Sequence, residues 1–179
     1  MRAVTVSMKG RTYSLVYTVG AMFALQEEIG GSAAILDAVY PPDNADCSAA
    51  VGRIAAVLAE QGELLRRYMG YDPEPIADVF AQRIAFPELL KLRRAIPEAL
   101  LRGFHREVKG EESEIDLGLA ELNAQKENET AQAHFIRTGT AAGLTKKEVL
   151  LSTPGEIMDL WEVYLQSSGL KRRRDIGDE

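Results

Sequence analysis

Val4-Thr5-Val6-Ser7-Met8-Lys9-Gly10-Arg11-Thr12-Tyr13-Ser14-Leu15-Val16-Tyr17 is the stretch that decides the fold. Apolar side chains recur at every second position on both sides of Lys9-Gly10. Successive side chains of a strand point to opposite faces, so this alternation reads as two half-buried strands. A two-residue connection with glycine is what a tight hairpin needs. The register follows: Met8 opposite Arg11, Val6 opposite Tyr13, Val4 opposite Leu15. One face of the ribbon is then apolar, and a lone two-stranded ribbon is at best marginally stable in water. It must lie on something else, and the rest of the chain supplies helices.

The period changes at Thr18, an N-cap for a helix over Val19 to Ile29 with Met22, Leu25 and Ile29 on one stripe. Gly30-Gly31 ends it, and Ser32 is expected to cap a short helix to about Tyr40. Pro41-Pro42-Asp43-Asn44 is a turn. A long helix runs from Asp46 or Ser48 to Met69, its inner stripe Val51, Ile54, Leu58, Leu65 and Tyr68, with Gly70 as its stop. A shorter helix spans Glu74 to Ala85. Pro87 opens another that carries Leu89, Leu92, Ile96, Leu100 and Phe104, and Pro97 is expected to kink or split it. Composition shifts after Val108: between Lys109 and Glu129 stand seven acidic and two basic residues. Beyond, a helical region runs to Ala142, interrupted by Gly139 and broken by Gly143. Thr145-Lys146-Lys147-Glu148 and Thr153-Pro154-Gly155-Glu156 are capping boxes that start two final helices, the second closed by Gly169.

The fold class that results is mainly α: an N-terminal β-hairpin packed on a helical bundle, with a small helical C-terminal segment after an acidic linker. The expected divisions are a hairpin-plus-helices domain at 1–108, the linker at 109–117, the C-terminal segment at 118–170 and a charged tail at 171–179. A C-terminal piece of that size buries its faces poorly alone. It must pack back on the first part, self-associate, or offer a helix to a partner. Ile157, Leu160, Trp161 (the only tryptophan) and Tyr164 share one face of the last helix and are the candidate partner-binding residues.

The 179 residues are 46% hydrophobic and 27% charged, with 21 basic against 27 acidic residues for a formal charge of −6. That is the composition of a globular chain with material for a core. No apolar run is long enough to span a bilayer, and the opening residues lack the run of a secretory signal. One cysteine, Cys47, offers no internal disulfide, which suits a reducing cytoplasm. Net acidity argues against nucleic acid, except at Lys171-Arg172-Arg173-Arg174, whose blander reading is charge near a helix C-terminus. A helix-turn-helix over Thr138 to Leu165 would turn Glu156, Asp159 and Glu162 toward phosphates. Catalytic groupings are missing: His105 and His134 lie on separate helices without metal-ligand spacing, Cys47 has no histidine near it in sequence, and Glu27-Glu28 and Glu111-Glu112 read as solvated charge. No glycine-rich phosphate loop is present. No catalytic, cofactor or metal residue is therefore expected.

Several stretches together resemble one family. They are Tyr17-Thr18-Val19-Gly20-Ala21-Met22 with Leu25-Gln26-Glu27-Glu28-Ile29-Gly30-Gly31; Ile54-Ala55-Ala56-Val57-Leu58-Ala59-Glu60-Gln61-Gly62; Gly143-Leu144-Thr145-Lys146-Lys147-Glu148; and Thr153-Pro154-Gly155-Glu156-Ile157-Met158-Asp159-Leu160. The chain resembles the tail assembly chaperones of siphophage-type phages and prophages. The resemblance implies a non-catalytic protein of the host cytoplasm. Such a protein coats the tape measure protein, brings tail tube subunits to it, and is absent from the mature virion. It also implies that residues 1 to about 108 correspond to the family's short product and about 118 to 170 to the segment added by ribosomal frameshifting. The alternatives are a structural head–tail connector component and a small helical DNA-binding regulator.

Overall fold

The computed structural model describes residues 2–42, 46–72, 76–81, 84–108 and 130–168. The expected linker at 109–117, the start of the C-terminal segment at 118–129 and the tail at 171–179 lie outside the described residues. So do Asp43-Asn44, Glu74 and Gly169.

Strands β1 (Val4–Met8) and β2 (Arg11–Leu15) pair antiparallel, with Val4 opposite Leu15, Val6 opposite Tyr13 and Met8 opposite Arg11. Lys9 and Gly10 both have positive φ, 48° and 77°. That conformation is the one in which a two-residue turn matches the twist of the strands. Val4, Val6, Met8, Tyr13 and Leu15 are buried.

Eight helices follow among the described residues: α1 (Val19–Glu28), α2 (Ser32–Val39), α3 (Ser48–Tyr68), α4 (Ala77–Ala81), α5 (Phe86–Phe104), α6 (Thr130–Ala141), α7 (Lys146–Leu151) and α8 (Pro154–Ser167). The molecule is thus mainly helical, with the hairpin packed on helices. None of these helices is long and apolar enough to cross a membrane. Ser32 is the first residue of α2 rather than its cap; Gly31 holds the cap position with extended backbone. α1, α3 and α6 each stop at a glycine of positive φ: Gly30, Gly70 and Gly143.

The main core joins the hairpin to α1–α5, with Tyr13, Tyr17, Leu25, Ile35, Ile54, Leu58, Leu92 and Ile96 at its centre. Along α3 the buried stripe is Val51, Ile54, Ala55, Leu58, Ala59, Gly62 and Glu63, whereas Tyr68 is exposed. The rotation follows from Gly62. A Cβ there would stand 1.9 Å from the Ser14 carbonyl oxygen, so the missing side chain lets β2 rest directly on the helix. Just beyond, the Val16 N–H donates to the Leu58 carbonyl at 3.1 Å.

Pro97 does not split α5, which runs unbroken from Phe86 to Phe104. Proline has no N–H to give the carbonyl four residues earlier, which is that of Arg93. The Tyr40 hydroxyl, just past α2, donates to that carbonyl at 2.6 Å. The Arg93 guanidinium in turn lies over the Tyr40 ring, 4.6 Å from its centroid. Gly139 likewise does not interrupt α6. A Cβ there would come within 2.4 Å of Val149 Cγ2, so the glycine admits α7 to close contact.

Residues 130–168 pack on the first part through a second, small cluster. Val19, Val149 and Ile157 are buried in it, and Phe23, Phe135, Ile136, Leu144 and Leu150 lie against it. The Val19 N–H, one of the donors that a helix start leaves open, is taken by the Ser152 carbonyl at 2.8 Å.

Candidate functional site

The last helix carries the candidate residues, and its start is firmly placed. Thr153 Oγ1 accepts from the Glu156 N–H at 3.3 Å, while Glu156 Oε2 accepts from the Thr153 N–H at 2.8 Å. Thr145 and Glu148 repeat the arrangement at the head of α7. Both capping boxes are therefore formed. Arg2 NH1 adds a hydrogen bond to Thr153 Oγ1 at 2.7 Å. A Cβ on Gly155 would lie 2.2 Å from the His105 carbonyl oxygen, so α8 begins in backbone contact with the end of α5.

One turn further, Asp159 is buried, with two hydrogen-bond donors and a second guanidinium in ion-pair distance. Arg106 Nε reaches Oδ1 at 3.0 Å, the Glu107 N–H reaches Oδ2 at 2.8 Å, and Arg2 NH2 stands 3.5 Å from Oδ2. Arg2 also faces Glu107 and Glu156, each at 3.7 Å. Two guanidinium groups from distant chain positions thus converge on a carboxylate that water barely reaches. Buried charge is tolerated when paired and hydrogen-bonded in this way. The sequence reading missed this clasp. Asp159 stands opposite the apolar stripe of the last helix, where an acid reads as solvated charge.

The four candidates divide. Ile157 is fully buried in the second cluster and is a core residue, which corrects its assignment to a partner-binding face. It stands about 200° around the helix from Asp159, so the start of α8 is enclosed on two sides, by the second cluster at Ile157 and by the clasp at Asp159. Leu160 is 38% exposed, and Trp161 and Tyr164 are half-buried, their rings stacked with centroids 5.2 Å apart. None of residues 160–168 is buried. Leu160, Trp161, Val163, Tyr164 and Leu165 cover more than half of the circumference at about 100° per residue. A helix end that is apolar over most of its girth is normally enclosed; the described residues do not enclose this one.

A second apolar surface lies on α5, where Phe86 is 69% and Leu101 74% exposed. Leu90 is also exposed, one turn from Phe86. A third gathers Leu64, Tyr68, Met69 and Tyr71 at the end of α3. There the Tyr68 hydroxyl donates to Glu148 Oε1 at 2.8 Å, and Lys147 Nζ stands 5.4 Å from the centre of its ring. The Thr145 N–H and hydroxyl, then the Tyr68 hydroxyl, hold the Glu148 carboxyl below the usual carboxylate range. The same bond, with the Glu148 charge, raises Tyr68.

Groups with chemical potential are dispersed. Cys47 is buried at the cap of α3, His105 ends α5, and His134 stands on α6 beside Arg137. His134 is exposed, and the partial desolvation of its ring first, and Arg137 second, lower it from its ordinary value. Among the described residues no group of three His, Cys, Asp or Glu side chains is placed to hold a metal ion. Glu156 and Asp159, weighed above as residues that would face phosphates, serve the cap and the clasp instead. A scan against protein-family models finds no match, and neither does a search of curated proteins or of solved structures.

Proposed function

We propose that this chain is a tail assembly chaperone of the siphophage type: it coats a tape measure protein, recruits tail tube subunits during tail morphogenesis, and makes or breaks no bond. The observation that carries the reading is the end of α8, where an apolar girdle of exposed and half-buried side chains, not enclosed by the described residues, stands beyond an anchored start. A tape measure protein is long and helical, and its apolar faces need cover until a tube encloses them. A short apolar helix end binds such faces weakly, and many copies along one strand add up. The acidic stretch after Val108 favours solubility for a chain with such surfaces. The chaperone works in the host cytoplasm and leaves before the particle is complete.

Co-purification tests the reading. The full chain captures tape measure and tail tube proteins at micromolar concentration, and Leu160→Asp with Trp161→Ala reduces capture at least tenfold. Mass spectrometry of purified particles finds the chain missing. Its stoichiometric presence there would favour the head–tail connector reading, and capture of neither partner would end the proposal.

A further inference from the structure

Residues 130–168 meet the rest of the chain through little buried apolar surface and a set of polar contacts. Among the described residues, Val19, Val149 and Ile157 are the buried members of the cluster between the two parts, and the first part supplies Val19 alone. The polar contacts are the Val19 N–H on the Ser152 carbonyl, Arg2 on Thr153 and Asp159, Arg106 and the Glu107 N–H on Asp159, and the exposed Tyr68–Glu148 bond. Parting the two returns the charges of Arg2, Arg106 and Asp159 to water, and hydration repays much of what a buried ion pair gains. The main core has no such compensation, since opening it exposes Tyr13, Leu58, Leu92 and Ile96, which water barely reaches. The boundary is sharp along the chain. The Val16 N–H donates to the Leu58 carbonyl, inside the first part, at 3.1 Å; the Val19 N–H, one turn on, donates across to Ser152 at 2.8 Å.

We propose that residues 130–168 are a charge-held cover over the Val19–Phe23 face of α1, and that this cover lifts as one unit while the hairpin and α1 to α5 stay folded. Lifting uncovers Val19, otherwise inaccessible, and parts Phe23 from Phe135, whose rings meet edge to face with centroids 6.4 Å apart. An opening of this kind lies below global unfolding in free energy. Salt favours the lifted state, because it screens the attraction of the clasp and leaves the apolar contacts of the main core in place. The inference goes beyond the chaperone reading, and its test needs no second protein.

Amide hydrogen exchange of the full chain, resolved residue by residue by nuclear magnetic resonance, reads it directly. In the wild type the Val19, Val149 and Ile157 amides exchange through one shared opening, about tenfold or more faster than those of Val16 and Leu58 once intrinsic rates are divided out. Added potassium chloride speeds the first group severalfold and leaves the second unchanged. Asp159→Asn speeds the first group by about another tenfold and diminishes its response to salt, and Arg106→Gln acts in the same direction. The wild-type comparison stands by itself if either variant fails to fold. Val19 exchanging in step with Val16, Val149 and Ile157 opening separately, salt that leaves the first group unchanged or slows it, or a salt response that Asp159→Asn does not diminish would each overturn the proposal.

Discussion

The two hydrophobic clusters of this molecule are held by different forces. The main core draws apolar side chains from both strands and from α1 to α5. The second cluster has three buried side chains, Val19, Val149 and Ile157, with a ring of half-buried neighbours. What it lacks in buried area is made up in directed polar contacts: the Arg2–Asp159–Arg106 clasp, the two capping boxes and the Tyr68–Glu148 bond. Burial is insensitive to direction and salt, whereas hydrogen-bonded charge depends on both. The first region should answer to lost volume and the second to lost partners.

The largest effect is expected in the main core. Leu58→Ala, at a side chain with no exposure, should cost ~2–5 kcal/mol and shift the whole unfolding transition. A loss confined to residues 130–168 would break the distinction between the clusters. Asp159→Asn comes next, at ~1–3 kcal/mol, since it leaves two partly buried arginines short of charge. Its signature is local: hydrogen exchange quickens in α6 to α8 while the protection of α3 and α5 holds. Uniform loss of protection would show that the two clusters unfold as one.

Tyr40→Phe sharpens the picture within the first region. It removes the donor to the Arg93 carbonyl and should cost ~1 kcal/mol. In a Pro97→Ala background, where an N–H returns to that carbonyl, the same change should cost much less, and a double-mutant cycle by denaturant melts measures the difference. The smallest effects are those of pH. The folded-state pKa of Glu148 lies below its ordinary value. Its contribution is therefore complete above the unfolded value and fades as pH falls through the folded one. Partial desolvation lowers His134 in the same sense, so its contribution begins to fade first, below the ordinary histidine value. Glu148→Gln should flatten the acid limb of the stability profile, and His134→Gln its onset near neutrality, both read by thermal melts. Profiles unchanged by either substitution would refute these assignments.

Much of the fold was legible because it rests on short-range rules. The hairpin register follows from alternation about Lys9-Gly10, and both capping boxes from a threonine three residues before a glutamate. Apart from the one-residue shift of the α2 cap from Ser32 to Gly31, the errors share one cause: a neighbour distant in sequence. Pro97 was expected to kink or split α5; it does not split it, and Tyr40, 57 positions earlier, supplies the donor that proline lacks. Gly139 looked like an interruption because its contact with Val149 is made only after the chain turns. The stripe of α3 rotated toward Gly62 because β2 lies there. At the candidate site, spacing grouped Ile157 with Leu160, Trp161 and Tyr164. Contact with Val19, 138 positions earlier, is what makes Ile157 a core residue.

The pairing of Tyr40 with Pro97 also constrains the order in which this sequence can drift. Losing the hydroxyl first leaves the Arg93 carbonyl without a donor from the protein, at an exposed site where water takes the place. Losing the imino acid first restores the ladder and frees residue 40 to vary. Of the two orders of substitution, residue 97 before residue 40 is thus the less costly.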